Sequence, residues 1–209
     1  MNINVLRRQF VFLLLGALAT LQLARAADDS SITAPIAKLN EALLTIMKAG
    51  RSTPFTQRMK MLAPAIEQAF DLPGILRTSV GLRWNEFSAD QKAELLRIFE
   101  LFTLASYTAN FDSFDGQRFE ILPEIRQVGD ERIVQTRIVP KNGDPSKLDY
   151  VMRQEGGVWK AVDVLLDGSI SRVAIQRSDF RTTLASGGAP ALIRTLHKKV
   201  ADLSDGAIS

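Results

Sequence analysis

The sequence lacks cysteine and has one histidine in 209 residues. Without cysteine there is no disulfide, no thiol nucleophile and no N-terminal cysteine to carry a lipid anchor. His197 alone cannot supply the histidine pair of a zinc protease, and it lies beside two lysines, as on the exposed side of a helix. No Gly-x-Ser-x-Gly elbow, phosphate-binding glycine loop or dinucleotide fingerprint occurs. The sequence therefore gives no indication of a metal, a cofactor or a nucleophile-based active site.

The N-terminus has the pattern of a secretion signal. Two arginines precede the apolar run VFLLLGALATLQLA, which is too short for a stable membrane span. The following Ala-Arg-Ala, ending at Ala26, presents small residues where a signal peptidase reads them. We expect residues 1–26 to be a signal peptide and residues 27–209 to be one exported domain. An uncleaved N-terminal anchor is the alternative.

The charge balance argues against nucleic acid as a partner. The chain has 26 lysines plus arginines and 23 acidic residues, and three of the arginines but no acid lie in the leader. After cleavage, basic and acidic groups are therefore equal in number, and the basic footprint of a nucleic-acid-binding protein is missing. Because an exported domain without disulfides has no covalent staple, its stability must come from a hydrophobic core.

The first half of the domain and its C-terminus are patterned for helices. Apolar residues recur at helical spacing, and prolines, capping residues and glycines mark the ends. The predicted helices cover residues 35–48, 54–70, 72–80, 89–111, 179–186 and 190–202. Ser88-Ala-Asp-Gln91 is a capping box that starts the longest helix, and Gly187-Gly188 separates the last two.

The second half changes to a period of two residues. Four strands are predicted, around residues 119–125, 134–138, 148–152 and 158–165. Asn142-Gly143 and Gly156-Gly157 mark tight turns between them, which predicts an antiparallel meander. Such a sheet buries one face. We therefore predict an α+β fold in which helices cover one face of a curved four-stranded sheet, with an apolar cavity between the two layers.

Asp163, in WKAVDVLLDGSIS, invites a catalytic hypothesis. Strict alternation places it on one face with Trp159 and Ala161, and a carboxylate in an apolar cavity can serve as the general base of an isomerase or another lipid-modifying enzyme. No histidine, tyrosine or second acid can be named as its partner. The structural interpretation, which the sequence favours, is that Asp163 accepts backbone N–H bonds where the strand turns, because a buried carboxylate must be satisfied.

Large apolar side chains are abundant in both predicted layers. Either they form a packed core, or part of them lines a cavity between the curved sheet and the helices over it. Spacing alone does not distinguish these alternatives. The candidates for a pocket are Phe70, Ile75, Leu76, Val80, Trp84, Leu95, Phe99, Phe102, Phe111, Val134, Ile138, Tyr150, Met152 and Trp159.

Several blocks resemble one family. FDLPGILRTSVGLRWNEFSADQK, from Phe70 to Lys92, is similar to a block of the periplasmic MlaC-like, toluene-tolerance family. The strand VQTRI, Tyr150, WKAVDVLLDGSIS and the Arg-Ser-x-Phe that ends at Phe180 are similar to its later blocks, in the same order. The resemblance runs from about Pro35 to Val200, and the C-terminal run resembles the hopanoid-biosynthesis-associated branch. Ala161 departs from the larger β-branched residue of many members, which widens the expected pocket.

The resemblance implies a periplasmic carrier and not an enzyme. Members hold lipid tails, of a phospholipid or here of a hopanoid, between the sheet and the helices and leave the headgroup at the mouth. The implied partners are an inner-membrane lipid transporter, either an MCE-type ABC complex or an RND-type exporter, and an outer-membrane complex. In this interpretation Asp163 is a structural carboxylate, and the segment 71–87, which is short and contains Pro73, is the candidate lid.

Overall fold

The structure, a computed structural model, describes residues 29–208. The signal peptide predicted for residues 1–26 lies outside the described residues. The helices are α1 (29–49), α2 (Phe55–Ala69), α3 (Leu72–Val80), α4 (Ala89–Asn110) and α5 (Arg172–Leu203), with a 3-10 helix at Gly81–Glu86. The strands are β1 (Arg118–Val128), β2 (Glu131–Val139), β3 (Ser146–Glu155), β4 (Val158–Leu166) and β5 (Ile170–Ser171). The α+β class predicted from the sequence is confirmed.

Local capping explains where the two helices nearest the cavity begin. The Asp71 carboxylate accepts the N–H of Gly74 at 3.1 Å, and a Cβ at residue 74 would lie 1.9 Å from that carboxylate, so only glycine fits. Ser88 and Gln91 form the predicted capping box of α4, with bonds of 3.2 and 3.0 Å. Gly81 ends α3 with a φ of +69°, which glycine adopts at little cost.

The sheet is an antiparallel meander in the order β1-β2-β3-β4-β5. The fifth strand has two residues, which pair with Leu165 and Leu166, and it was not predicted because two residues are too few to show alternation. The register shifts between Ile121 and Ile125 in β1, where Pro123 interrupts the ladder. Bulges of this kind bend a strand and increase its twist.

A second register shift corrects the sequence prediction for Asp163. Asp163 pairs with Val151, and Val162 is an extra residue between it and Ala161. The alternation changes phase at this bulge, so Asp163 does not share a face with Trp159 and Ala161 as strict alternation predicted. The cause is tertiary, because a bulge is fixed by pairing with the neighbouring strand and leaves no mark in the period of a single strand.

The C-terminal helical region is longer than predicted. The two helices expected at residues 179–186 and 190–202 both lie within Arg172–Leu203, and non-helical backbone at Gly187 and Gly188 separates them where the separation was predicted. The first part begins seven residues early because Ser171 caps it, its hydroxyl accepting the N–H of Ala174 at 2.9 Å. This extension brings the N-terminus of α5 to the edge of β4.

The helices and one face of the sheet share one hydrophobic core. Val134, Tyr150 and Val164 are paired neighbours on three adjacent strands, and all three are buried against the helices. Helix α4 packs against α2, α3 and α5, and β4 contacts α2, α3 and α5. Within residues 29–208, no helix is both long enough and apolar enough to cross a membrane.

Candidate functional site

A cavity of about 320 Å³ lies between the helical layer and the sheet. Helices α3, α4 and α5 form one side of it, and β2, β3 and β4 form the other. Its lining residues are Phe70, Leu72, Ile75, Phe99, Phe102, Thr103, Ser106, Tyr107, Asn110, Phe111, Ile138, Leu148, Asp163, Val164, Leu166, Arg172, Val173 and Gln176. The position between the layers is the one predicted from the sequence.

The structure brings six of the fourteen candidate pocket residues to this cavity, namely Phe70, Ile75, Phe99, Phe102, Phe111 and Ile138. Six others are buried elsewhere in the hydrophobic core: Leu76, Val80, Leu95, Val134, Tyr150 and Met152. The two tryptophans are half-buried at the periphery. Trp84 packs on Phe87 in the 3-10 helix, and Trp159 lies under the guanidinium of Arg132.

Sequence reasoning missed the polar lining and part of the apolar lining. The missed residues are Leu72, Thr103, Ser106, Tyr107, Asn110, Leu148, Val164, Leu166, Arg172, Val173 and Gln176. The missed residues of α4 lie at three- or four-residue spacing from Phe99 and Phe102, so the period of the helix could have predicted that they share its cavity-facing side. Those of α5 could not be found, because the first turns of this helix were predicted as non-helical.

Aromatic rings form a continuous wall from the core to the end of α4. Tyr150 contacts Phe70 at 6.2 Å between ring centroids, and Phe70 contacts Tyr107 at 5.6 Å. Tyr107 stacks on Phe111 at 5.9 Å, and Phe111 contacts Phe119 at 5.8 Å. Because each ring packs against the next, this wall of the cavity is largely apolar.

The polar side chains of α4 that face the cavity are bonded to the helix itself. Thr103, Ser106 and Asn110 each donate to the backbone carbonyl four residues earlier, at 2.9, 2.7 and 2.8 Å. A donor that is satisfied within the helix does not require water or a polar ligand group. The α4 wall therefore tolerates a hydrocarbon despite its composition.

Polar groups with free capacity collect on the α5 side of the cavity. Arg172 is exposed, and no ion pair to it occurs within residues 29–208. Gln176, one helical turn further along, lies 3.1 Å from the hydroxyl of Ser79 on α3. The cavity therefore has an apolar interior and, at one edge, an exposed arginine without an ion-pair partner among residues 29–208.

Asp163 holds the start of α5 against β4. Its Oδ1 accepts the N–H groups of Val164 and Val173 at 2.7 and 3.0 Å, and its Oδ2 accepts the hydroxyl of Ser171. Both oxygens are thus engaged by donors of the protein. A general base needs a lone pair directed at substrate, so this geometry supports the structural interpretation of Asp163 over the catalytic one.

We expect Asp163→Asn to fold with nearly wild-type stability, because the amide oxygen still accepts from the backbone. Asp163→Ala leaves these donors unpaired and should lower the free energy of unfolding by about 1–3 kcal/mol. Urea unfolding of both variants measures the difference. If Asp163 were catalytic, Asp163→Asn would fold equally well but would fail to complement function in cells.

The two tyrosines of the chain lie together at the inner wall, and burial raises the pKa of both phenols. The Tyr107 hydroxyl raises the pKa of Tyr150 further. The positive charge of Arg172 and the Tyr150 hydroxyl both partly oppose the rise in the pKa of Tyr107. The folded protein thus holds these protons more tightly than the unfolded chain, whose phenols have a pKa of about 10. This contribution to stability is complete below pH 10 and is lost as the pH rises above it.

Alkaline titration tests the tyrosine environment directly, because Tyr107 and Tyr150 are the only tyrosines. We expect phenolate absorbance to appear only with loss of the near-ultraviolet circular dichroism of the fold. The variant Tyr107→Phe/Tyr150→Phe should lose less stability between about pH 10 and 12 than the wild type. Phenolate formation at an ordinary pKa in folded protein would show that water reaches both rings.

The segment 71–87 is held to the sheet at its start and to α5 at its end. The N–H of Asp71 donates to the carbonyl of Ala161 on β4 at 3.0 Å. At the far end, Ser79 meets Gln176, and the guanidinium of Arg177 packs over Gly81. Leu82, in the 3-10 helix that follows, is 85% exposed. A movement of α3 away from α5 would therefore have to break the contacts of Ser79 and Gly81 with α5.

The fold matches a solved structure. This is a phospholipid-binding protein from Ralstonia solanacearum in complex with a phospholipid, which superposes with a TM-score of 0.72 at 19% sequence identity, covering 83% of this chain and 99% of that one. A search of curated proteins found no significant match.

A family profile gives the sequence-level match. The profile described as MlaC protein covers residues 37–198, which include α2 to α4, all five strands and most of α5. Its range agrees with the span, Pro35 to Val200, over which the sequence blocks resemble that family. The chain therefore belongs to the MlaC family.

Proposed function

We propose that this protein is a periplasmic carrier that binds the acyl or polycyclic tail of a lipid in the cavity between sheet and helices. The observation that carries the proposal is the cavity itself, whose interior is lined by aromatic and aliphatic side chains and by helix-bonded polar groups. The phospholipid bound by the Ralstonia protein of the same fold supports it. Arg172 at the edge suits an anionic headgroup, such as the phosphate of a phospholipid.

The energetics fit a carrier that exchanges cargo with membranes. Each methylene taken from water contributes about 0.8 kcal/mol, so one long acyl chain contributes roughly 10 kcal/mol relative to water. A bilayer shelters the same chain equally well, so transfer between membrane and carrier is close to balance. We infer that direction comes from partners, namely an inner-membrane MCE-type ABC complex or RND-type exporter and an outer-membrane complex.

The enzyme alternative has less support. It requires a polar constellation with a free base, but both oxygens of Asp163 are engaged by backbone and hydroxyl donors. Groups of three or more potential metal ligands do not occur within residues 29–208. The proposed carrier needs neither a base nor a metal.

Native mass spectrometry of protein purified gently from its own host tests the proposal. We expect a lipid adduct at one lipid per chain, and extraction with organic solvent should identify it as a phospholipid or a hopanoid. A hopanoid would also place the chain in the hopanoid-associated branch. Repeated isolation of lipid-free protein that takes up no lipid from vesicles would overturn the carrier function.

A further inference from the structure

The hydroxyl of Tyr150 is a buried polar group without a partner. Tyr150 lies in the middle of β3, paired with Val134 and Val164 on the neighbouring strands, and its side chain is 0% exposed. Among residues 29–208, its hydroxyl makes no hydrogen bond. A buried tyrosine hydroxyl normally has a partner, because leaving it unpaired costs free energy. Packing alone does not explain this hydroxyl, since phenylalanine would fill the same space.

Tyr107 connects this hydroxyl to the cavity between the sheet and the helices. Its side chain lines the cavity and packs on Phe70, which also contacts Tyr150. The two phenol hydroxyls are close enough for each to influence the pKa of the other, yet no hydrogen bond satisfies that of Tyr150 among residues 29–208. Because a phenol both donates and accepts, Tyr107 can accept from Tyr150 and donate its own hydrogen to a group in the cavity.

The tyrosine pair differs from the other hydroxyls of the cavity wall. The lining contains the hydroxyls of Thr103, Ser106 and Tyr107. Those of Thr103 and Ser106 already donate to backbone carbonyls of α4, at 2.9 and 2.7 Å. Tyr107 cannot be satisfied in this way, because the ring holds its hydroxyl away from the backbone of its own helix. The hydroxyl donor that remains for a ligand is therefore that of Tyr107, with Tyr150 behind it.

The position of the pair indicates which part of a lipid it meets. The guanidinium of Arg172, at the edge of the cavity, is near enough to influence the pKa of Tyr107. An anionic headgroup paired with Arg172 would therefore lie close to Tyr107. In a lipid whose chain is esterified to a phosphate-bearing glycerol, the ester carbonyl is a few bonds from the phosphate. A carbonyl oxygen is an acceptor, which matches the donor that the tyrosine pair presents.

We propose that Tyr107, supported by Tyr150, recognises an acceptor oxygen in the part of the lipid that enters the cavity, and that the ester carbonyl next to the headgroup is the oxygen that fits. The proposal rests on the carrier function proposed above and specifies its ligand class. On binding, Tyr107 donates to this oxygen and accepts from Tyr150, so both hydroxyls are satisfied and each bond strengthens the other. A site built in this way discriminates against an analogue that lacks the oxygen.

Matched lipids with one chain test the proposal on delipidated protein. Oleoyl-lysophosphatidylglycerol and its ether analogue have the same headgroup and chain length, but the ether has no carbonyl. We expect the wild type to bind the ester about fivefold more tightly than the ether, because one hydrogen bond to the lipid is lost. Tyr107→Phe should bind both lipids alike. Tyr150→Phe should retain a preference of about twofold, since it removes only the supporting bond.

A chain hydroxyl offers the same acceptor chemistry from another source. Oleate and ricinoleate differ by one hydroxyl on the chain, so their relative affinity measures recognition of that oxygen. A preference for ricinoleate that Tyr107→Phe removes would assign the anchor to a hydroxylated chain instead of an ester. Equal affinities within both lipid pairs would overturn the proposal and leave the carrier function standing. If the wild type binds none of the four lipids, the carrier function itself fails.

Thr103→Val is the matched control, because it also removes a hydroxyl from the cavity wall, but one that is already bonded within α4. The ratio of ester to ether affinity should stay that of the wild type, whatever happens to each affinity. A ratio that falls as far as in Tyr107→Phe would show that any loss of polarity in the wall has this effect, and would overturn the specific role of the tyrosines.

The stability of the delipidated protein gives an independent readout. Since Tyr150→Phe removes a buried hydroxyl that has no partner among residues 29–208, we expect its thermal midpoint to rise by about 2–4 °C while its preference for the ester falls. A change of packing alone would move stability and binding in the same direction. A lower midpoint would show that the hydroxyl is already satisfied in the free protein, and would overturn the supporting role of Tyr150.

Infrared spectroscopy of the bound ester observes the hydrogen bond directly. The carbonyl of oleoyl-lysophosphatidylglycerol would carry an isotope label, which separates its stretching band from the amide bands of the protein. We expect this band at lower frequency in the wild type than in Tyr107→Phe, because a hydrogen bond weakens the carbonyl bond. The same frequency in both proteins would exclude the ester carbonyl as the group that Tyr107 recognises.

Discussion

Tethering α3 to α5 should stop lipid exchange. The chain has no cysteine, so Ser79→Cys/Gln176→Cys provides a unique pair of thiols where the two side chains meet at 3.1 Å. A short bifunctional thiol-reactive reagent, such as a bis-methanethiosulfonate that releases one sulfinate for each thiol it modifies, would join them and prevent α3 from moving away from α5. We expect the exchange of bound lipid with vesicles to slow by about tenfold or more, because cargo must pass between these helices.

The physical reason is that the two ends of α3 are held by different elements. The N-terminal end is attached to β4 through the bond between Asp71 and Ala161, so an opening motion there would break sheet contacts. At the C-terminal end, the helix has nine residues, ends at Gly81 and is followed by the exposed Leu82. At this end Ser79 and Val80 are buried, so α3 can move as a lid only by separating from α5, and the crosslink prevents that separation.

The single variants Ser79→Cys and Gln176→Cys, treated with the same reagent, are the matched controls, since each carries the reagent without joining the helices. The uncrosslinked double variant controls for loss of the native contact. Exchange rates that are equal before and after crosslinking would show that α3 is not the gate and that cargo leaves between other elements.

Filling the cavity between the sheet and the helices should largely abolish lipid binding. Leu166 lines the cavity from β4, and Leu166→Trp places a large ring in the space proposed for a chain. If the ring displaces about three methylenes, at about 0.8 kcal/mol each, affinity falls roughly 50-fold. Fluorescence competition with a dansylated fatty acid on delipidated protein measures the change.

Leu165→Trp is the matched control, because adjacent residues of a strand point to opposite faces of the sheet. Leu165 does not line the cavity and pairs with Asp149 and Ser171. Leu165→Trp therefore adds the same ring one residue away, on the other face of the sheet. Wild-type affinity in Leu166→Trp with unchanged folding would mean that lipid does not occupy this cavity.

Most of the secondary structure could be predicted from the chain alone. The capping box at Ser88, the Asp71 cap and Gly81 act within one helical turn, so their residues determine where α3 and α4 begin or end. Alternation and the Asn142-Gly143 turn likewise determine hairpins, which pair neighbouring segments. The α+β class and the meander follow, since they require only local periods and short connections.

The cavity lining was only partly predictable, because burial does not distinguish a core from a pocket. Phe99 and Leu95 lie on one helix, one turn apart, and both are buried, yet only Phe99 reaches the cavity. The difference depends on which element packs opposite each side chain. The same limit applies to Arg172 and Gln176, whose positions depend on the docking of α5 against β4.

The sequence by itself determined the α+β class, the ends of the central helices and the family to which the chain belongs. The tertiary structure decided which face of the sheet each residue of β4 after Val162 occupies, because a bulge is set by pairing with the partner strand. It also decided that Asp163 ties α5 to the sheet and which side chains line the cavity between the layers. These features depend on contacts between distant segments, which the periodicity of neighbouring residues does not record.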